Sequence, residues 1–111
     1  MAAKFELKQT KSGKFAFNLK ATNGQVILTS QQYKQKSSAH KGIASVRQSA
    51  ADDANFERST SSSNQPYFVL KAANGQVIGT SEMYSSTGAM ENGIGSVKKN
   101  APHAPIDDIV A

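Results

Sequence analysis

The sequence predicts an α+β fold in which a β-β-β-α unit occurs twice, the copies sharing one antiparallel sheet packed by helices about a pseudo-two-fold axis. Three observations predict it. Sliding the chain against itself by 51 positions aligns Phe5-Glu6 with Phe56-Glu57, Leu19-Lys20-Ala21 with Leu70-Lys71-Ala72, and Asn23-Gly24-Gln25-Val26-Ile27 with Asn74-Gly75-Gln76-Val77-Ile78. Thr29-Ser30, Tyr33, Gly42-Ile43 and Ser45-Val46 recur as Thr80-Ser81, Tyr84, Gly93-Ile94 and Ser96-Val97. Within each copy, apolar residues first alternate with period two and then recur at helical spacing. Finally, the chain has 111 residues, and a unit of about 50 residues removes too little surface from water to stand alone. Two copies are also too few for a solenoid. Residues 1–111 are therefore read as a single domain, with repeats 4–50 and 55–101 and a C-terminal tail, 102–111.

The first strand runs near Phe5 to Lys8, with Phe5 and Leu7 on one face and Lys4, Glu6 and Lys8 on the other. Lys11-Ser12-Gly13 is a turn. Phe15, Phe17 and Leu19 then point one way, and Lys14, Ala16, Asn18 and Lys20 the other. Asn23-Gly24, like Asn74-Gly75, marks a hairpin turn before the third strand. A two-residue loop would pair Leu19 with Leu28, and in the second copy Gly79 would leave a hole at that place. A three-residue loop with its glycine in the left-handed region pairs Leu19 with Ile27 and Leu70 with Ile78, and is the preferred reading. Ser30 and Ser81 are read as caps of a short turn. The helix begins near Ser37 or Ser38, with Ala39, Ile43, Val46 and Ala50 as its stripe and Met90, Ile94, Val97 and Ala101 as the second. Gly42 and Gly93 lie inside the helices, which predicts close approach of backbone to a neighbouring element. Pro102 stops the second helix, and the tail is expected to be loosely held, with Ile106, Ile109 and Val110 able to dock.

The pattern Phe-x-Leu-Lys-Ala-x-Asn-Gly-Gln-x-Ile, then Thr-Ser-x-x-Tyr, then Gly-Ile-x-Ser-Val-Lys/Arg, resembles the YegP-like family of small uncharacterised bacterial proteins. The resemblance covers about residues 4–101. It implies tandem three-strand-plus-helix units joined in one sheet with helices exchanged across the pseudo-symmetry, and a bacterial source. It implies no activity and no cofactor. The copies depart from each other where Phe15 becomes Pro66 and Leu7 becomes Arg58.

Composition narrows the function classes. The absence of cysteine excludes disulfides, thiolate metal sites and thiol nucleophiles. No apolar stretch approaches the ~18 residues that span a bilayer, and the amino terminus lacks a signal-peptide core, so a cytoplasmic protein without a membrane partner is expected. His40 and His103 have no partner at metal-ligand spacing and read as surface residues. Asp52-Asp53 and Asp107-Asp108 read as solvated pairs. Glu6 and Glu57 could meet only if the axis passed between them. Ser30 and Tyr33, with Ser81 and Tyr84, lack an activating base and read as structural.

Charge is the feature above background. Residues 1–50 carry nine basic residues and one acid, net +8, and residues 51–111 carry four basic residues and seven acids, net −3. Lys4, Lys8, Lys14 and Lys20 share the strand face opposite the phenylalanines. The expectation is a non-enzymatic binding or interaction module, a monomer built as a pseudo-dimer, whose partner the sequence does not identify, nucleic acid and an acidic protein being the candidates. The alternative is a weak nucleic-acid binder acting through Lys4, Lys8, Lys14 and Lys20.

Overall fold

Alternation carries the chain through β1 (Lys4–Gln9), β2 (Phe15–Lys20) and β3 (Val26–Thr29) before α1 (Lys36–Ser49); a single 3-10 turn (Asp53–Asn55) leads into β4 (Phe56–Thr60). The second copy continues with β5 (Pro66–Lys71), β6 (Val77–Thr80), α2 (Thr87–Asn100) and a last strand, β7 (Ile106–Asp108). This computed structural model describes residues 3–110. The strands form one mixed sheet in the order β4-β5-β6-β3-β2-β1-β7. The two copies meet where β3 lies antiparallel to β6, with Thr29 opposite Thr80.

Both helices cover the face that carries Phe17 and Phe68, and they straddle the seam. α1 packs on β2, β5 and β6, and α2 on β3 and β5. The result is one shared core in which Phe5, Leu7, Phe17, Leu19, Ile43, Phe68, Leu70 and Val97 are fully buried. Each such side chain contributes roughly 1.5–3 kcal/mol by leaving water. Gly42 and Gly93 sit under the repeated tyrosines. A Cβ on Gly42 would lie 2.9 Å from Cζ of Tyr33, and on Gly93 2.7 Å from Cζ of Tyr84, with the phenol oxygens nearer still. Those tyrosines stack on Phe17 and Phe68 with centroids 6.3 and 6.2 Å apart. The close approach predicted at the helix glycines is thus to an aromatic ring lying between helix and sheet.

The central turn is the three-residue loop Thr22-Asn23-Gly24. The Gly24 amide donates to Ala21 O at 2.9 Å, the Ala21 amide to Gln25 O at 2.9 Å, and Gly24 has φ of 82°. Ala72, Gly75 and Gln76 repeat the arrangement, with Gly75 at 85°. The pairing expected from this turn does not follow. Leu19 pairs with Leu28 and Leu70 with Gly79, because a second irregularity falls between Leu19 and Lys20 and between Leu70 and Lys71. Ile27 and Ile78 are the residues passed over, and both are buried nonetheless. The hole expected at Gly79 does not exist either. Leu28 reaches across the seam into that place, and a Cβ on Gly79 would lie 2.6 Å from its Cγ.

Three further expectations are corrected. Ser30 and Ser81 do not cap a turn: each hydroxyl accepts the strand amide of Phe17 or Phe68 at 2.9 Å and donates to the carbonyl of Gln31 or Glu82. They let the chain leave the sheet without orphaning an amide. α1 starts at Lys36 without a side-chain cap, whereas Ser86 caps α2 by accepting from the Ala89 amide at 3.1 Å. The C-terminal segment is not loose. β7 pairs parallel with β1, Phe5 opposite Ile106, which makes the sheet mixed. Ile106 and Val110 pack on the core, while Ile109 is exposed. β7 also explains why Leu7 became Arg58 in the second copy. Leu7 is enclosed because β7 flanks β1, whereas β4 is an edge strand, and Arg58 there bonds Glu91 at 2.6 Å and Asp53 at 3.3 Å. An inward-pointing charge at a sheet edge also discourages strand addition.

Candidate anion-binding surface

The four lysines singled out by alternation separate into two pairs. Lys4 donates to Asp107 at 2.8 Å and approaches Glu6 at 3.8 Å; Lys20 reaches Glu6 at 3.0 Å. Its hydrogen bond to Asp107 raises the pKa of Lys4 above the usual lysine value, Coulomb attraction to the same carboxylate adding to it. Both cations are spent on carboxylates of this chain. Lys8 and Lys14 are exposed and, among the described residues, belong to no ion pair.

The structure adds two lysines to that second pair. Lys11 sits at the tip of the β1–β2 hairpin, where the Gly13 amide donates to Thr10 O at 3.0 Å. Lys34 follows Tyr33, whose backbone exchanges two 2.7 Å hydrogen bonds with Phe15 in an antiparallel bridge. That register sets Lys34 opposite Lys14 on the face away from the core. Both added lysines are exposed and, among the described residues, unpaired. Lys8, Lys11, Lys14 and Lys34 therefore crowd one end of the first repeat. At the matching end of the second repeat stand Ser59, Ser62, Gln65 and Ser85.

The other candidates disperse. Glu6 and Glu57 are not brought together: β1 and β4 lie far apart in the strand order, and Glu57 pairs with Lys71 of its own repeat. Asp53, Asp107 and Asp108 are ion-paired and not merely solvated, whereas Asp52 is exposed and accepts from the Ala54 amide. Asp53 accepts from Lys98 at 2.7 Å and from Arg58 at 3.3 Å, and Asp108 pairs with Lys36. The hydrogen bond from Lys98, then that from Arg58, holds Asp53 below the usual carboxylate range, and Lys36 does the same for Asp108. Burial pushes the Tyr33 and Tyr84 phenols up. His40 and His103 are exposed, and no cluster of three metal-ligating side chains occurs among the described residues. An open cleft of about 470 Å³ lies beside the end of α1, lined by Ser45, Gln48, Asp52 and Asn74 among others. Its counterpart of about 250 Å³ beside the end of α2 places His103 where the first has Asp52. Neither opposes an acid to a base. No helix among the described residues is long and apolar enough to cross a membrane.

Comparison with known proteins gives one consistent result. Residues 10–57 and 61–108 each match the family model described as a domain of unknown function, DUF1508. The UPF0339 protein YegP of Yersinia pestis is 50% identical over 105 residues, 95% of this chain and 94% of that one. A UPF0339 protein of Acinetobacter baylyi is 50% identical over 109 residues, 98% of each. The solution NMR structure of yegP from E. coli, a protein of unknown function, superposes with a TM-score of 0.94 at 46% identity, covering 100% of this chain and 96% of that one. A UPF0339 protein of Shewanella oneidensis gives 0.93 at 46% identity, covering 99% and 93%.

Proposed function

The chain belongs to the DUF1508 family, with two copies of the domain, and from that premise we propose that it is a non-enzymatic binding module whose working surface is the basic end of its first repeat. One observation carries the reading. The repeats keep their core and their turns, yet at four neighbouring exposed positions the first has lysine and the second has serine or glutamine. Folding does not require those lysines, because the second copy adopts the same hairpins without them. Four cations with no carboxylate partner among the described residues repel one another, and an anionic partner relieves that repulsion. Asp53, Glu91 and Asp108 are held low by their lysine and arginine partners, which suits them to surface ion pairs.

The experiment is an amide NMR titration with inorganic polyphosphate at 50 and 200 mM salt. Shifts concentrated at residues 8–14 and 34, and largely lost at the higher salt, support the reading. Shifts confined to the cleft around Ser49 and Asp52, or none at either salt, overturn it.

A further inference from the structure

We infer that the anionic partner of the basic end is the phosphate backbone of double-stranded nucleic acid, held without reading of the bases; the inference rests on the reading just given. The first argument is spacing. Lys8 lies on β1 opposite Ala16, Lys14 immediately precedes β2, two residues before Ala16, and Lys34 lies across from Lys14 on the side of β2 towards β3. Neighbouring strands are about 4.8 Å apart, so these three lysines form a row about 10 Å wide, with Lys11 beyond it at the hairpin tip. A duplex carries one negative charge per about 1.7 Å of axis, so such a row faces several phosphates at once.

The second argument is the kind of cation. Both arginines are committed elsewhere. Arg47 donates to Ala104 O at 2.7 Å with its guanidinium 5.4 Å from the Phe5 ring centroid, and Arg58 holds Glu91 and Asp53. The basic end is all lysine, whose point charges hold phosphate without the planar fork by which arginine grips a phosphate, a carboxylate or a guanine edge in two places, which suits contact without base reading. A protein partner would also need an apolar anchor. Ser12, Gln31 and Gln32 surround the lysines, and among the described residues Ile109, one strand over from Lys8, is the lone large apolar side chain exposed beside them. The third argument separates duplex from single strand. Single strands are held by aromatics set among the charges, but Tyr33 is stacked on Phe17 and both it and Phe15 pack against the core. Charge alone remains, and the duplex has the higher charge density.

The test is fluorescence anisotropy with a labelled 20-base-pair duplex, a single strand of equal length and poly-glutamate, each at 50 and 200 mM salt. Four contacts at about 0.9 each give a log–log slope near −3.6, so duplex affinity should fall about 150-fold between the two salts. The single strand and poly-glutamate should bind more weakly than the duplex at 50 mM. The variant Lys8→Ser, Lys11→Ser, Lys14→Gln, Lys34→Ser carries the second repeat's own residues, so it should stay folded by its NMR spectrum and lose most of the slope. Adding Ser59→Lys, Ser62→Lys, Gln65→Lys and Ser85→Lys to that variant should restore it. A single strand bound as tightly as the duplex overturns the inference. Poly-glutamate bound as tightly overturns it too, while leaving the basic end as a binding surface. Unchanged duplex affinity in the four-site variant moves the site elsewhere and overturns both readings, as does failure of all three probes to bind at 50 mM.

Discussion

The contact between Leu28 and Gly79 is a tight packing constraint across the seam between the repeats, and it can be measured as a coupling energy. Gly79→Ala places a methyl 2.6, 2.7 and 3.0 Å from Cγ, Cδ2 and Cδ1 of Leu28, whose side chain is fully enclosed. Overpacking of this kind costs about 1–3 kcal/mol. Replacing a strand glycine by alanine returns up to about 1 kcal/mol of backbone entropy, so the net loss should be about 1–2 kcal/mol, or about 4–8 °C in Tm for a chain of this size. Leu28→Ala alone should cost about 3–5 kcal/mol by opening a cavity. With both changes, the new methyl enters that cavity, and Gly79→Ala should become neutral or stabilising. The coupling is then about 1–3 kcal/mol, outside the ~0.5 kcal/mol scatter of independent sites. Urea unfolding of the four proteins reads it directly. Additive losses would refute the knob-and-socket account.

Gly93→Ala should cost about 1–2 kcal/mol despite alanine's better helix propensity, and Tyr84→Phe should recover part of the loss, because the phenol oxygen is the atom nearest the added methyl; thermal unfolding of the single and double variants checks this. Gly24→Val should destabilise by at least about 1 kcal/mol, since φ of 82° is strained for a β-branched residue, whereas Gly24→Asn should cost less; chemical denaturation ranks the two. Asp53 and Glu91 have folded pKa values below their ordinary values of 3.8 and 4.5. Their contribution is complete above those ordinary values and is lost as pH falls through them towards the depressed folded values. Arg58→Leu should therefore flatten the loss of stability between about pH 5 and 3, and an unchanged acid limb would show that the cluster contributes nothing. A fragment of residues 1–50 should be unfolded or self-associated by sedimentation and circular dichroism, because α1 rests on β5 and β6.

Much of the fold was legible because duplication states the same pattern twice. Phe17 and Phe68, Ile43 and Ile94, and the Asn-Gly turns recur 51 residues apart, and each is read against its twin. What stayed hidden depends on partners remote in the chain. The strand register turned on Leu28, whose place is set by the absence of a side chain at Gly79 on the far side of the seam. β7 could not be read because Ile106-Asp107-Asp108 does not alternate, and its strand character comes from an edge that β1 offers. The candidate surface shows the same division. Alternation placed Lys4, Lys8, Lys14 and Lys20 on one face, but Lys4 finds Asp107 at a separation of 103 residues, which no local pattern reports. Lys34 lies outside any strand and is aligned with Lys14 by a single bridge. Comparing the lysines of one repeat with the residues of the other would have added Lys11 and Lys34 to the candidates, since Lys8, Lys11, Lys14 and Lys34 lose their charge in the second copy, although Lys4, Lys36 and Lys41 do so too.

The straddling of the seam by both helices has a consequence for biosynthesis. Residues of α1 leave the ribosome before the strands β5 and β6 on which they must rest, and β6 ends about 30 residues after α1 does. At about 5–20 residues per second, the apolar stripe of Ala39, Ile43 and Val46 waits roughly 2–6 s for a complete seat. During that interval the nascent first repeat has strands of its own but only part of the surface its helix needs. The first helix cannot finish docking until most of the second repeat has been made, so the duplicated chain folds late and nearly all at once, although each half carries most of the same instructions.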